Sequence, residues 1–297
     1  MAGVMEQLIC ITLNNGVTMP TLGYAVPSQC SPEEAARAVE FALNVGYRHV
    51  ITESRDEEDA AIGQLFKKVF DAGSVKREDV FISAKVSIDD PARANVKSRL
   101  IQRVYSLGCQ YLDLLLLDLP RIKIPQNNGS SLVRPATNLH HNVPDPALAL
   151  WKSVNSLVAE GHIRSVGLVC RGHKKLLETL QRDDIQPQVI YSFSNSPLIK
   201  DYSANLQKYS GCKKIQVIVE MEEEPVQNGH AKNLTDVNTK ILASLSANMG
   251  RDTQQVMARS LLEKNFAVVT KRLAGKEIDR NFQIYDFSLE EGTLVKE

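Results

Sequence analysis

The chain has 297 residues, 43% of them hydrophobic, with Lys plus Arg and Asp plus Glu equal at 35 each. That composition supplies one large core, either a single α/β barrel or two average domains. The balanced charge gives no reason to expect nucleic acid or a membrane surface as a partner. The start, Met-Ala-Gly-Val-Met-Glu-Gln, lacks a basic stretch and a long apolar stretch, so no signal peptide is expected. No apolar run reaches membrane-spanning length. The cysteines at 10, 30, 109, 170 and 212 are scattered without a Cys-x-x-Cys pair, which argues against a zinc site or a disulfide framework and for a cytoplasmic, reducing location.

Ile9 to Val17 alternates around Asn14-Asn15-Gly16, and Asn-Gly suits the positive φ angles of a tight hairpin turn. Met19 to Val26 follows as a strand. Ser31-Pro32-Glu33-Glu34 opens a helix with a capping box, Ala35, Val39, Ala42 and Leu43 form its inner face, and Gly46 ends it. Tyr47 to Thr52 reads as a buried strand that runs into a helix carrying Ile62, Leu65, Phe66, Val69 and Phe70 on one face. Val80 to Val86 is a strand. Asp90-Pro91 opens a helix with Val96, Leu100, Val104 and Leu107 aligned. Tyr111 to Leu119 is nearly all apolar, as a strand buried on both faces should be. Asp145-Pro146 opens a helix with Trp151, Val154 and Leu157 inward.

Ser165 to Cys170, Gln188 to Phe193, Ile215 to Met221 and Phe266 to Thr270 are further strands, separated by helical stretches at 173–184, 201–210, 236–249 and 253–264. About eight strand–helix units predict a single (β/α)8 TIM barrel over 1–297 with an N-terminal β-hairpin beneath it. The one long irregular piece is 120–144. It follows the fourth strand, on the face where barrels place chemistry.

The segment Gly46-Tyr47-Arg48-His49, with Thr52 and Gly63, resembles the aldo-keto reductases, whose motif here is Gly-Tyr-Arg-His-Ile-Asp-Thr-Ala with a Tyr four residues after the Thr. Other pieces resemble the same family in the same order: Leu13 to Pro20, Lys76 to Lys85, Tyr111 to Pro120, Trp151 with Glu160-Gly161 and Val166-Gly167, and Asn281 to Phe287. The resemblance implies a barrel that binds NADPH and reduces aldehydes or ketones. The family uses a Tyr as proton donor, a Lys and an Asp that lower its pKa, and a His that orients the carbonyl.

Carried over residue by residue, only the Lys remains, as Lys85. The Asp position is Ile51, the Tyr position is Asp56 and the His position is Asp118. Lys85 and Asp118 are expected close together at the mouth, as a rebuilt acid/base pair or as a salt bridge. The family's nicotinamide-binding Ser-Asn is Val169-Cys170. Its Tyr-Ser-Pro-Leu-Gly pyrophosphate loop is Glu220-Met221-Glu222-Glu223-Glu224-Pro225, read as a solvated loop whose carboxylates repel a diphosphate. Lys271 keeps the position that meets a 2′-phosphate, Arg272 adds charge and Asn281 remains, although Lys271 and Arg272 also read as a surface pair. Glu277 replaces an Arg of the family, and Pro27 replaces its substrate Trp.

Glu297 follows soon after the last-helix motif, so the family's long C-terminal substrate loop is not expected. His140-His141 lacks further ligands at metal-binding spacing, and no metal is expected. The sequence therefore predicts a catalytically degenerate aldo-keto reductase-like protein with a binding, scaffolding or regulatory role, and with a protein or a small molecule as its partner. No cofactor is expected. The alternative is an NADPH-dependent oxidoreductase acting through Lys85 and Asp118.

Overall fold

The computed structural model describes residues 9–53, 55–87, 96–118, 146–170, 186–194, 214–221, 226–227, 230–231 and 237–289. The helical stretches expected at 173–184 and 201–210, the helix start at Asp90-Pro91, the 120–144 segment with His140-His141, and Glu222 to Glu224 lie outside them. Two short antiparallel strands, β1 (Cys10–Thr12) and β2 (Thr18–Pro20), form the N-terminal hairpin, with Thr12 opposite Thr18. Within the hairpin loop Asn14 to Gly16, only Gly16 has a positive φ, at 85°. The expected hairpin turn at Asn14-Asn15-Gly16 is present as a three-residue loop, closed by Gly16 N–H to Leu13 O at 2.9 Å and Leu13 N–H to Val17 O at 2.8 Å. The Asn15 amide donates to Arg164 O at 3.0 Å and Ser165 Oγ at 3.1 Å, fastening the hairpin under the barrel.

Eight parallel strands close the barrel: β3 (Leu22–Ala25), β4 (His49–Thr52), β5 (Phe81–Ser87), β6 (Leu112–Asp118), β7 (Ile163–Val169), β8 (Val189–Phe193), β9 (Gln216–Glu220) and β12 (Ala267–Thr270). They pair in chain order, and β12 returns to pair with β3. A two-stranded ribbon, β10 (Val226–Gln227) with β11 (His230–Ala231), lies between β9 and the next helix in the chain. The expected strand Met19 to Val26 is divided: Thr18–Pro20 belongs to the hairpin and Leu22–Ala25 to the barrel.

The described helices are α1 (Pro32–Val45), α2 (Asp56–Asp71), α3 (Val96–Ser106), α4 (Pro146–Ala159), α5 (Val237–Met249), α6 (Thr253–Glu263) and α7 (Gly275–Phe282). Helix α1 starts with the expected capping box: Ser31 Oγ accepts from Glu34 N–H and the Glu34 carboxylate from Ser31 N–H. Such a cap stabilises by ~1 kcal/mol. The last-helix motif is displaced from its expected place, because α7 ends at Phe282 and residues 283–289 continue without helix.

Strand alternation divides the apolar residues into two cores. Val50, Ile82, Leu115 and Leu117, Ile190, Val219 and Val268 face outward and pack against the helices. Ile51, Phe81, Leu114, Leu116, Tyr191, Phe193, Ile218 and Val269 fill the lumen. Helices α2 and α3 approach closely at Gly63. A Cβ there would stand 2.1 Å from Ser106 O, which is why the family-like frame carries glycine at this point. The barrel is thus a filled cylinder whose last inward positions form its upper surface.

Candidate functional site

One more step of the alternation beyond the apolar lumen brings charge. On β4 the inward series His49 and Ile51 continues to Glu53. On β5, Ser83 continues to Lys85. On β9, Ile218 continues to Glu220, and on β12, Val269 continues to Lys271. These four side chains meet at the C-terminal mouth. Lys85 Nζ lies 2.7 Å from Glu53 Oε1 and 3.4 Å from Glu220 Oε2. Lys271 Nζ lies 3.2 Å from the same Glu53 oxygen and 3.3 Å from Glu220 Oε1. Each carboxylate therefore bridges both ammoniums, and the square sums to zero charge.

The square is anchored from below and from the side. Tyr191 donates its hydroxyl to Glu220 Oε2 at 2.5 Å. The rings of Tyr191 and Phe193 stand 5.5 and 5.6 Å from Lys85 Nζ, within cation–π range. Arg103, buried in α3, donates to Lys85 O at 3.2 Å, to Thr52 Oγ1 at 3.1 Å and to Glu53 O, and pairs with Asp59 through Nε at 3.2 Å. One guanidinium thus fixes the backbone on which both Glu53 and Lys85 are mounted. Burial pushes the Glu53 carboxyl upward, but Lys85 and then Lys271 outweigh it, so its pKa lies below the ordinary value. Burial pulls Lys271 downward, but Glu220 and Glu53 outweigh it, and its pKa lies above the ordinary value. Both shifts favour the ionised square.

The residues singled out in the sequence fall as follows. Ile51 is 1% exposed and fills the lumen as hydrocarbon. Asp56 is exposed on the first turn of α2, where its charge suits the helix N-terminus. Asp118 ends β6 with the inward parity of Leu114 and Leu116, but it stands level with Ser87, one step beyond Lys85, which stands level with Leu116. Asn281 is buried in α7. Arg272 is half-buried, and its backbone oxygen accepts from the Tyr24 hydroxyl at 2.7 Å.

Two expectations need correction. Glu220 is not in a solvated loop: it ends β9, is 4% exposed and is held by two lysines and a tyrosine. Lys271 is not a surface charge paired in use with Arg272; it belongs to the square. Glu53 was missed altogether. Its signal was available, since it follows Thr52 where the quoted motif ends in Ala, and strand parity turns it inward.

His49 was part of the motif but had no role assigned. It is fully buried in the lumen, its Nε2 2.9 Å from Ser83 Oγ, and burial pushes its pKa down to about 3, so it stays neutral. Among the described residues no group of three His, Cys, Asp or Glu side chains is arranged to hold a metal ion. No helix among them is long and apolar enough to cross a membrane.

A closed eight-stranded barrel with a lysine at this level of its third strand in chain order, over a hairpin floor, is the architecture that the motif order implied. The profile of the Aldo/keto reductase family matches residues 15–293. The chain belongs to the aldo/keto reductase family. Among its relatives is methylglyoxal reductase DkgA of Escherichia coli K12, 28% identical over 290 residues that cover 98% of this chain and 92% of that one. Among solved structures, the aldose reductase of Schistosoma japonicum superposes with a TM-score of 0.74 at 27% identity, covering 97% of this chain and 90% of that one. The Bombyx mori aldo-keto reductase, solved in complex with NADP, shares the fold with a TM-score of 0.74 at 22% identity, covering 97% and 91% of the two chains. Within the aldo/keto reductase frame, then, the fold is retained while the mouth carries a two-lysine, two-glutamate square.

Proposed function

We propose that this aldo/keto reductase barrel works without redox chemistry, by binding, scaffolding or regulation. The observation that carries the reading is the square itself. By resemblance, Lys85 serves proton transfer and Lys271 serves the 2′-phosphate of NADP(H), yet both are bridged by the same two glutamates. Acid catalysis needs a group of suitable pKa within hydrogen-bond reach of the carbonyl oxygen. Ile51 and Asp56 supply neither of the family's groups at their positions, and an ionised Asp118 accepts protons but does not donate them. Losing general acid catalysis alone costs roughly 10²- to 10⁴-fold in rate.

The family implies NADP(H), and the Bombyx mori relative is bound to NADP. The residues of this mouth do not fit it. Glu53 and Glu220 hold the cation that would meet the phosphate, and Val169-Cys170 replaces the family's nicotinamide-binding amide and hydroxyl. The partner class consistent with a neutral, self-paired mouth is a protein or a small molecule met in the cytoplasm, rather than nucleic acid or membrane.

The test is NADPH consumption against methylglyoxal and a panel of other aldehydes and ketones, with Lys85→Met as control. The expected result is no turnover in the enzyme range. A rate of about 1 s⁻¹ or more, lost in the control, would establish a reductase instead.

A further inference from the structure

We propose that Glu53 and Glu220 exclude anionic nucleotides from the barrel mouth by acting as built-in anions for Lys271 and Lys85. The inference rests on the reading that this mouth does not use NADP(H), and it names the residues responsible. Two glutamates in solution would be weak competitors for a phosphate; these two are not free to leave. Glu220 is 4% exposed and sits at the end of a barrel strand, with one oxygen on Lys271 and the other shared by Lys85 and the Tyr191 hydroxyl. Glu53 presents a single oxygen to both ammoniums, and Arg103 holds its main chain.

A phosphate approaching Lys271 must therefore displace carboxylates whose backbone cannot follow them into water, or stand beside them. Either outcome is unfavourable. The square is already neutral, so an added dianion is uncompensated, and like charges in a partly buried site repel strongly. Glu53 has a lowered pKa, with burial opposed by Lys85 and Lys271, and Lys271 a raised one, with burial opposed by Glu220 and Glu53, so this pair is ionised at neutral pH and the exclusion operates under ordinary conditions.

The experiment is calorimetric titration with adenosine 2′,5′-bisphosphate and with NADPH. The proteins are the wild type, Glu53→Ala/Glu220→Gln, and the same pair with Lys271→Met added, each checked for folding by circular dichroism. The wild type is expected to show no saturable binding at millimolar ligand. The double variant is expected to bind both probes at least about 10-fold more tightly than the wild type. That gain should weaken with salt and disappear with Lys271→Met.

A folded double variant that binds no better than the wild type overturns the exclusion and leaves the non-redox reading standing. A wild type that binds NADPH tightly overturns both. A gain that survives Lys271→Met overturns the role given to that lysine. If the double variant does not fold, Glu53→Gln and Glu220→Gln are titrated singly. Each keeps the side chain's shape, and absence of any gain in both contradicts the proposal.

Discussion

At the residue scale, the four charges of the mouth depend on one another. Lys85→Met leaves the buried Glu220 and the half-buried Glu53 with one cation, a loss expected to cost about 1–3 kcal/mol in urea denaturation. In a double-mutant cycle with Glu220→Gln the two changes should couple by about 1 kcal/mol or more; strict additivity would show that they do not interact. The pH dependence follows from the two resolved shifts. Glu53 lies below its ordinary 4.5, so its contribution is complete above about pH 4.5 and is lost as pH falls through its lower folded value. Lys271 lies above its ordinary 10.5, so its contribution is complete below about pH 10.5 and is lost as pH rises through its higher folded value. The Glu53–Lys271 pair should hold between those limits.

Beneath the square, Arg103→Met would strand the buried Asp59 and remove the clamp on β4 and β5. Leaving one partner of such a pair buried alone costs about 3–5 kcal/mol. Burial already pushes Asp59 up to about 7 against the pull of Arg103. Without the arginine the stranded carboxyl should take up a proton more readily, so this variant should be less destabilised at pH 5 than at pH 8. Equal losses at both values would show that Asp59 is not the group responsible.

At the element scale, almost all the described barrel was legible. The strands announced themselves as apolar runs, and the caps of α1 as Ser31 and Glu34, because burial on two faces and helix capping are local requirements written into neighbouring residues. Two features were not. The hairpin turn itself was legible, with Gly16 in the left-handed region, but the bond of Asn15 to β7, 149 residues away in the chain, was not. The ion square joins β4, β5, β9 and β12, and the glutamate run reads as a solvated loop even though the expected strand Ile215 to Met221 includes the first of its glutamates. Strand parity carried the inward turn of both Glu53 and Glu220. It was passed over because charge runs usually mark solvated loops.

Gly63 belongs to this scale too. It was legible as part of the motif, and the structure supplies its reason in the contact with Ser106 O. Gly63→Ala forces α2 and α3 apart, and overpacking of this kind should destabilise by about 1–3 kcal/mol. The comparison is denaturation midpoint with unchanged slope; an unaltered midpoint would mean that the helices have slack.

At the scale of the whole molecule, the chain keeps the shape of an aldo/keto reductase, and its mouth carries the ion square. Nearly all residues that build the cylinder follow rules that any member must satisfy: alternation, closure, a floor and close helix approach. The residues that choose a chemistry stand on the last inward step of each strand, where changing one side chain leaves the barrel intact. Restoring single catalytic positions is therefore not expected to restore reduction. Ile51→Asp, Asp56→Tyr and Asp118→His together should still fall short while Glu53 and Glu220 hold Lys271.

The central claim is that the native mouth does not take the cofactor, and the most direct check is thermal unfolding of the wild type with and without 1 mM NADPH. A ligand present at about 100 times its Kd stabilises by about 2.7 kcal/mol, which in a chain of this size raises the midpoint by several degrees. No rise is expected beyond that given by an equal ionic strength of salt. A saturable, NADPH-specific rise of several degrees would contradict it.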